Sequence, residues 1–462
     1  MNKLQKMCIL FLAASIVGTA SCNKKEFLEA KPNSELFVPT TLDDFQALLD
    51  NDVVMNETPV LGDLSADNFY TPISYWQGLG VKEKNTYIWN PETFEGLAGN
   101  IPDWNTPYTQ AFYANVILES LSKLPITNSN INRWKAIKGA ALFARAHAFY
   151  QVAQLFAPVY NSNNSGENQG IPLRLTPGVD ETSVRSSLQV TYNRIVDDLR
   201  EASNLLPKEI PFANRNRSSR PAAFALLARV YLSMDKYLDA KKYSDSCLQL
   251  HNVLIKYDTL NYQANIPFTK FNAETIYHSQ FITGNLLRGL SIPNCIVDSS
   301  LYRSYEPNDL RSATFYRIHP TTNNINPKGS YTGTNQLFTG LATDEVYLIR
   351  AECEARLGNT QAAMNDLNHL LAARWKANTF VPLSAPNADS ALKIILIERR
   401  KELPFRGLRW TDLRRFNKAG ANITLIRKLG NQTYELKPND LRYTLLIPPD
   451  VIVLSGIPQN PR

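Results

Sequence analysis

Charged residues are densely interleaved with apolar ones between residues 398 and 416. The carboxylates of this stretch and the arginines expected to pair with them are Glu398, Glu402, Asp412, Arg399, Arg406, Arg409, Arg414 and Arg415. Bidentate arginine–carboxylate pairs satisfy such charges when a corner is buried, whereas an excess of arginine would form a binding site for an anion. Because the two signs alternate, the sequence favours a structural corner, in which Pro404 ends one helix and Gly407 permits the turn into the next.

Aromatic side chains are concentrated in two stretches that otherwise predict loops, residues 52–103 and 255–340. Their many Pro, Gly and Asn residues prevent long helices and strands. Trp and Tyr rings complement the flat C–H faces of sugars and lose little entropy on binding. Any single ring more often fills the core beneath a loop, but we expect several of the set to be exposed. The predicted ligand contacts are Tyr75, Trp76, Trp89, Tyr302 and Tyr305, with Asn100 and Arg303 as polar contacts.

Motifs for catalysis, nucleotide binding and metal binding are absent from the sequence. It contains no Gly-x-Ser-x-Gly, no His-Glu-x-x-His, no P-loop and no Gly-x-Gly-x-x-Gly. Its five histidines are scattered without the spacing of metal ligands, so we predict no metal and no cofactor. Glycosidase chemistry needs two carboxylates that only a structure can pair, and no loop carboxylate stands out.

Charge and cysteine content exclude further classes. The formal net charge is +7, but no run of Lys and Arg is clear of acidic neighbours, which argues against nucleic acid as a partner. Cys247, Cys295 and Cys353 cannot all pair with one another, and their spacing is not that of a metal site. Cys247 and Cys353 lie in helical patterns, so we expect them to be small buried hydrophobic residues.

The first 21 residues predict a lipoprotein signal peptide. Lys3 and Lys6 precede an apolar segment, residues 8–17, that is too short to span a membrane. Gly18-Thr-Ala-Ser-Cys22 resembles a lipobox, although Thr19 replaces the Leu-like residue usual three positions before the cysteine. We therefore predict that Cys22 is lipidated and that residues 22–39 form a tether, which would anchor an otherwise soluble protein to a membrane.

Helical periodicity dominates the rest of the chain, and small residues packed against Leu and Tyr in paired helices give the tetratricopeptide pattern. Ala136, Ala140, Ala144 and Ala148 recur every four residues, which predicts close approach of a partner helix. Residues 443–447 and 451–454 suggest short strands. The predicted fold is mostly α: a single domain of tetratricopeptide-like helix pairs with long irregular loop insertions and a few short strands. The predicted helices are 41–50, 103–124, 131–156, 187–206, 221–234, 237–243, 345–357, 360–375, one ending near 403 and one beginning at 410.

Several motifs resemble the SusD/RagB family of outer-membrane nutrient-binding lipoproteins. Residues 398–415, E-R-R-K-E-L-x-F-x-G-x-R-W-x-D-L-R-R, are similar to the C-terminal signature of that family. The helix around Phe143, the Gly170-Ile-Pro-Leu-Arg174 strand and the segment 306–316 also match, whereas Gly139 stands where members often carry Glu. The resemblance runs from Phe27 to the end of the chain. It implies a SusD-like helical domain over residues 40–462, with an N-terminal part (about 40–250), a loop insertion (about 255–340) and C-terminal helices (about 343–462).

The resemblance also implies a function. It predicts a non-catalytic lipoprotein on the surface of an outer membrane, which captures oligosaccharide for import through a TonB-dependent, SusC-like β-barrel transporter that it covers as a lid. A peptide-import lipoprotein of the RagB type is the first alternative, and tyrosine-rich loops suit peptide capture too. A tetratricopeptide-like scaffold that binds only proteins is the second. Together with the missing catalytic motifs, the resemblance predicts that the protein is not an enzyme.

Overall fold

The structure is a computed structural model that describes residues 39–97, 99–178, 180–282, 287 and 293–462. The predicted signal peptide, the lipidated Cys22 and the tether up to residue 38 lie outside the described residues. From Thr41 to Arg462 the chain forms one compact unit.

Helices account for most of the regular structure in the described residues, which confirms the mostly α fold. The helix that begins at Tyr237 extends beyond its predicted end to Leu250, and the helix that begins at Thr360 ends three residues before Trp375. The helices are α1 (Leu42–Leu49), α2 (Asp52–Met55), α3 (Leu61–Ser65), α4 (Ile73–Gln77), α5 (Val81–Tyr87), α6 (Pro102–Lys123), α7 (Ile131–Phe156), α8 (Leu188–Leu205), α9 (Arg220–Ser233), α10 (Tyr237–Leu250), α11 (Ser299–Arg303), α12 (Arg311–Phe315), α13 (Thr343–Arg356), α14 (Thr360–Ala372), α15 (Ala388–Glu402), α16 (Arg409–Lys418) and α17 (Pro449–Ser455).

The long helices pack in chain order into a continuous platform. α6 packs on α7, α7 on α8, α8 on α9 and α9 on α10. α10 then packs on α13, which in turn contacts α14 and α15. The residues between α10 and α13 therefore leave the platform and return to it, as expected of a loop insertion between helix pairs.

The first helix shows how local sequence fixes an element. Thr41 Oγ1 accepts a hydrogen bond from the Asp44 N–H (3.2 Å), and Asp44 Oδ2 accepts one from the Thr41 N–H (2.9 Å). This reciprocal cap satisfies two N–H groups that would otherwise lack partners at the helix start. Phe45 and Leu49 are buried against α6 and α7. The predicted helix and its Thr41 cap are confirmed.

Close approach on α7 depends on Gly139. A Cβ added there would lie 3.0 Å from Leu206 Cγ and 3.1 Å from Leu205 Cβ. The end of α8 therefore leaves no room for the glutamate that relatives often carry at this position. Ala136 and Ala140, predicted to face a partner helix, instead line a groove of about 170 Å³ beside α1. Gly139 adds this close approach beside the predicted alanine stripe, whose Ala144 and Ala148 are buried.

Strands are short and occur in pairs. Four pairs are antiparallel: residues 169–172 with 185–187, 275–277 with 341–342, 316–318 with 325–327, and 425–429 with 432–436. The strands are β1 (Glu57–Thr58), β2 (Phe69–Tyr70), β3 (Gln169–Pro172), β4 (Arg185–Ser187), β5 (Thr275–Tyr277), β6 (Gln280–Phe281), β7 (Ile296–Val297), β8 (Tyr316–Ile318), β9 (Ile325–Pro327), β10 (Leu341–Ala342), β11 (Leu425–Leu429) and β12 (Gln432–Leu436).

The two strands predicted in the C-terminal tail are wrong. Residues 451–454 lie in α17. This helix can begin at Pro449 because the first position of a helix needs no backbone N–H, which proline lacks. Residues 443–447 follow a 3₁₀ turn at Leu441–Tyr443, and the Leu445 N–H donates to the Leu155 carbonyl near the end of α7 (2.8 Å) instead of to a strand. The hairpin of β11 and β12 was not predicted from the sequence.

Candidate functional site

Two strand pairs join the aromatic-rich stretches, although these are far apart in sequence. β1 pairs with β6 in parallel, and the Thr58 hydroxyl donates to the carbonyl of Gln280, 222 residues away (3.3 Å). β2 pairs with β7 antiparallel, and Tyr70 lies opposite Ile296. The loops predicted to bind ligand therefore form neighbouring parts of one structure.

Tyr70 is the prominent exposed ring of these stretches. Its side chain is 43% exposed, whereas Phe69 beside it in β2 is buried, because successive strand residues point to opposite faces. α4 follows directly and presents Ile73, which is 40% exposed. Tyr75 and Trp76 on α4 are half-buried. We term one set of six residues the candidate face: Tyr70, Ile73, Tyr75 and Trp76, together with Tyr302 and Arg303 on α11.

Polar contacts fix the half-buried rings of α4. The Trp76 Nε1–H donates to the Lys84 carbonyl on α5 (3.2 Å). Burial and the nearby Glu83 carboxylate raise the pKa of Tyr75, so its phenol is neutral at physiological pH and acts as a hydrogen-bond donor or acceptor. Each ring thus presents part of its apolar face. The Trp76 N–H is already hydrogen-bonded, and the Tyr75 hydroxyl can bond to a ligand.

α11 begins immediately after β7 and positions Tyr302. Asp298 caps the helix by accepting from the Leu301 N–H (2.9 Å), and its own N–H donates to the Asn68 carbonyl (2.9 Å). The Tyr302 ring packs edge-on against Tyr316, with ring centroids 5.9 Å apart. Arg303 is exposed at the end of the helix. A cap and a ring contact therefore hold the second half of the candidate face.

The arginine-rich corner holds one end of the β2–β7 pair, where Asp67 and Asp298 are neighbours. Arg409 at the start of α16 makes two hydrogen bonds to Asp67, two residues before β2 (2.7 and 2.8 Å). Arg400 on α15 donates to the Asp67 carbonyl (2.9 Å) and to Oδ1 of Asp298 just after β7 (3.3 Å). The corner therefore fixes the backbone from which the candidate face projects.

Arg427 on β11 supports the same loop from inside. It is buried and donates to the carbonyls of Ala66 and Phe69, with longer bonds to those of Leu64 and Tyr87 (both 3.4 Å). Its guanidinium carbon lies 4.2 Å from the ring centroid of Tyr87, 5.2 Å from that of Phe69 and 5.4 Å from that of Trp89. Carbonyl oxygens and aromatic faces stabilise this buried cation.

Trp89 is not available to a ligand. It is 4% exposed and its Nε1–H donates to the Ser65 carbonyl (2.9 Å), so we remove it from the proposed site. The Tyr305 hydroxyl donates to the Lys401 carbonyl (2.7 Å), which directs this half-buried ring toward α15. Asn100 is exposed and accepts from the Asn105 amide (2.6 Å) at the start of α6. Asn100 stays a predicted contact outside the candidate face, and Tyr75, Trp76, Tyr302 and Arg303 remain candidates within it.

Neither Tyr70 nor Ile73 was among the ligand contacts predicted from the sequence. One signal was present, since a Phe-Tyr pair in a two-residue strand places one ring inside and one outside. Arg427 was also missed, and its alternation with Ile426 and Lys428 was the only indication that it points inward.

Within the corner, the predicted pairing is correct for Asp412 and wrong for both glutamates. Asp412 accepts from Arg399 and Arg415, each at 2.9 Å. Glu398 and Glu402 instead bind Arg311 on α12 (2.5 and 3.2 Å). Further pairs are Arg374 with Glu402, Arg415 with Glu352, Arg406 with Asp344 and Arg409 with Asp67. The corner therefore ties distant segments together, as the structural interpretation requires.

Among the described residues, no group of three or more His, Cys, Asp or Glu side chains is arranged to hold a metal ion. Burial lowers the pKa of His147 to about 3 and that of His278 to about 4, so both are neutral core residues. No helix in the described ranges has the length and apolar character needed to cross a bilayer. Cys247 and Cys353 are buried, as predicted.

Two family profiles match most of the chain. The profile described as "Starch-binding associating with outer membrane" matches residues 26–232, and the profile described as "SusD family" matches residues 299–447. The chain belongs to the SusD/RagB family. The second match contains the corner and α11, so it includes the arginines that hold the candidate face. No curated protein matches the chain.

Solved structures of SusD/RagB proteins share the fold. A SusD superfamily protein from Bacteroides thetaiotaomicron is 23% identical, with a TM-score of 0.74 over 91% of this chain and 100% of that one. A SusD-like carbohydrate binding protein from Bacteroides vulgatus is 20% identical (TM-score 0.68; 90% and 97% covered). A laminarin binding SusD-like protein is 19% identical (TM-score 0.64; 90% and 97% covered).

Proposed function

We propose that this protein is a non-catalytic binding protein that captures an oligosaccharide on the candidate face. The observation that carries the proposal is Tyr70, a ring 43% exposed on a strand pair whose one end is held by ion pairs to the corner. A ring on a fixed backbone binds a sugar face without first paying to order a loop. Family membership and the laminarin binding relative support a glycan as the ligand.

The face offers two kinds of contact. The Tyr70 ring and the Ile73 side chain supply apolar surface for the C–H face of a pyranose. The Arg303 guanidinium carries N–H donors for hydroxyl groups. The half-buried rings of Trp76 and Tyr302 would add further apolar surface. Such a set binds an extended chain of sugars better than a single sugar, because the contacts are spread over several elements.

The place of the protein in the cell belongs to the same proposal. Lipidation at Cys22 would attach it to the outer membrane, and a SusC-like, TonB-dependent transporter would receive the captured oligosaccharide. The resemblance of residues 18–22 to a lipobox and the family profile associated with the outer membrane support this assignment. Copurification of a stoichiometric β-barrel with the tagged protein from native membranes tests it.

The binding test uses Tyr70→Ala against a matched control. Phe112 on α6 is 40% exposed and lies outside the candidate face, so Phe112→Ala removes a ring of similar exposure. We expect Tyr70→Ala to weaken retention of a bound glycan about five- to tenfold, whereas Phe112→Ala leaves it unchanged. Laminarin and starch oligosaccharides, followed by a wider glycan array, are the probes in affinity electrophoresis and calorimetry.

Two outcomes would count against the proposal. Equal glycan retention by the wild type and Tyr70→Ala would show that the ligand lies elsewhere. Retention of peptides but not glycans would support the peptide-import alternative. Both variants should keep the helical circular dichroism of the wild type, because neither ring is buried in the core.

A further inference from the structure

A separate pocket of about 160 Å³ lies beside α16, and no residue of the candidate face lines it. An engineered cavity of roughly 150 Å³ is known to hold a benzene ring, so this pocket has room for one six-membered ring. It is lined by Pro158, Val159, Arg414, Asn417, Asn439, Asp440, Leu441, Tyr443, Thr444 and Pro461.

Arg414 differs from the other arginines of the corner that were predicted to form ion pairs. Arg399, Arg406, Arg409 and Arg415 each bind a carboxylate. Arg414 is 4% exposed, and its hydrogen bonds in the described structure go to the backbone carbonyls of Gln154 and Ala157.

These two carbonyls explain why the guanidinium is tolerated at this position. They lie at the C-terminal end of α7, where the helix dipole favours a cation. They use two of its five N–H groups and leave its charge without a counterion. Burial lowers the pKa of Arg414 to about 10, which reflects the cost of holding that charge away from water.

The rest of the lining does not neutralise this charge. Asp440 is the acidic residue of the pocket, and both of its oxygens accept from the Arg442 guanidinium (2.9 and 2.8 Å). Pro158, Val159 and Tyr443 form apolar walls. The pocket therefore combines a buried, uncompensated cation with surfaces suited to the flat face of a ring.

We propose that this pocket binds a six-membered ring that carries one carboxylate, and that an acidic sugar such as glucuronate is its ligand class. The carboxylate would accept from the N–H groups of Arg414 that the α7 carbonyls leave free, and the ring would pack between the proline and tyrosine walls. Arg414 thereby gives the corner the anion site that its other arginines, already paired, cannot form.

The test compares glucuronate with glucose and acetate, using ligand-observed NMR and calorimetry on the purified full chain. Glucose has the ring without the carboxylate, and acetate has the carboxylate without the ring. We expect glucuronate to bind roughly tenfold or more tightly than either, because a hydrogen-bonded charge and apolar contacts add. Glucuronate binding equal to that of glucose or acetate would overturn the proposal.

Variants locate the site. Arg414→Gln removes the charge and should abolish glucuronate preference. Because that residue also holds the end of α7, Val159→Phe provides a second variant that fills the pocket without touching the guanidinium. Val184→Phe, at a side chain 71% exposed and outside the pocket, is the matched control. Unchanged glucuronate binding by Val159→Phe would overturn the proposal. Tyr70→Ala should leave glucuronate binding unchanged, so failure at either site is distinguishable.

Discussion

The Arg409 guanidinium binds the Asp67 carboxylate through two parallel hydrogen bonds, Nε to Oδ1 at 2.7 Å and Nη2 to Oδ2 at 2.8 Å. This pair joins the C-terminal corner to the loop that carries Tyr70. Burial raises the pKa of Asp67, but the charges of Arg409 and Arg400 outweigh burial and hold that pKa below its usual range. The carboxylate is therefore ionised at neutral pH and remains so in mildly acidic solution.

Asp67→Asn tests this link. The change leaves the Arg409 guanidinium buried without a counterion, so we expect the free energy of unfolding to fall by about 2 kcal/mol in urea titrations at neutral pH. Glycan retention should fall as well, because β2 loses its anchor. Asp197→Asn, at an exposed position on α8, is the control and should be neutral. A stable Asp67→Asn protein with full binding would show that the pair does not position the face.

Asp63, four residues before Asp67, gives a pH prediction with the opposite sign. Burial raises its pKa to about 7, although the Gly407 N–H, which donates to Oδ2 at 2.7 Å, partly opposes this shift. A carboxyl group whose folded pKa exceeds its unfolded pKa contributes stability below the unfolded value, about 4, and loses it as the pH rises through 7.

Asp63→Asn should remove this pH dependence. The asparagine oxygen can still accept from Gly407, and it carries no charge to desolvate. We expect the variant to be more stable than the wild type at pH 8, by about 3 kcal/mol, with the advantage shrinking toward pH 4. Unfolding free energies measured at pH 4, 6 and 8 check this. Parallel pH curves for the two proteins would show that the Asp63 carboxyl is ionised in the folded state.

Arg427→Met should destabilise the protein and weaken the face together. Methionine leaves the carbonyls of Ala66 and Phe69 without a donor inside the core, which costs about 3 kcal/mol. The hairpin turn also contacts the face, since a Cβ on Gly430 would lie 3.2 Å from Ile73 Cδ1. Lys428→Met, at the exposed neighbour on β11, is the control for unfolding in urea. Equal stabilities of Arg427→Met and Lys428→Met would mean that packing of the Phe69, Tyr87 and Trp89 rings is enough to hold the loop.

Much of the platform could be predicted because its signals are local. The bounds of α7 follow from uninterrupted helical periodicity, and the start of α1 follows from Thr41 and its capping box. The β11–β12 hairpin also had a local signal, since residues of alternating polarity flank Gly430-Asn431. This hairpin was nevertheless not predicted. Residues 451–454 were predicted as a strand because a run of β-branched and apolar residues suits a strand as well as a short helix.

The candidate face could be predicted only in part. β2 and β7 have two residues each, too few to show a period, and their pairing depends on ion pairs to α15 and α16. Whether Trp89 or Tyr70 is exposed follows from where Arg427 sits, and that arginine is more than three hundred residues away along the chain. Sequence composition located the correct loops but could not decide which rings face outward.

The separation of Asp67 from Arg409 by 342 residues also sets the order of assembly. Contacts of long sequence separation form late, because a large loop must close before they contribute. α6 to α10 can pack as soon as they are synthesised, whereas the strand carrying Tyr70 must wait for α16, near the end of translation. A chain that stops before α16 would keep much of its helical platform and still have no means of holding its ligand surface in place.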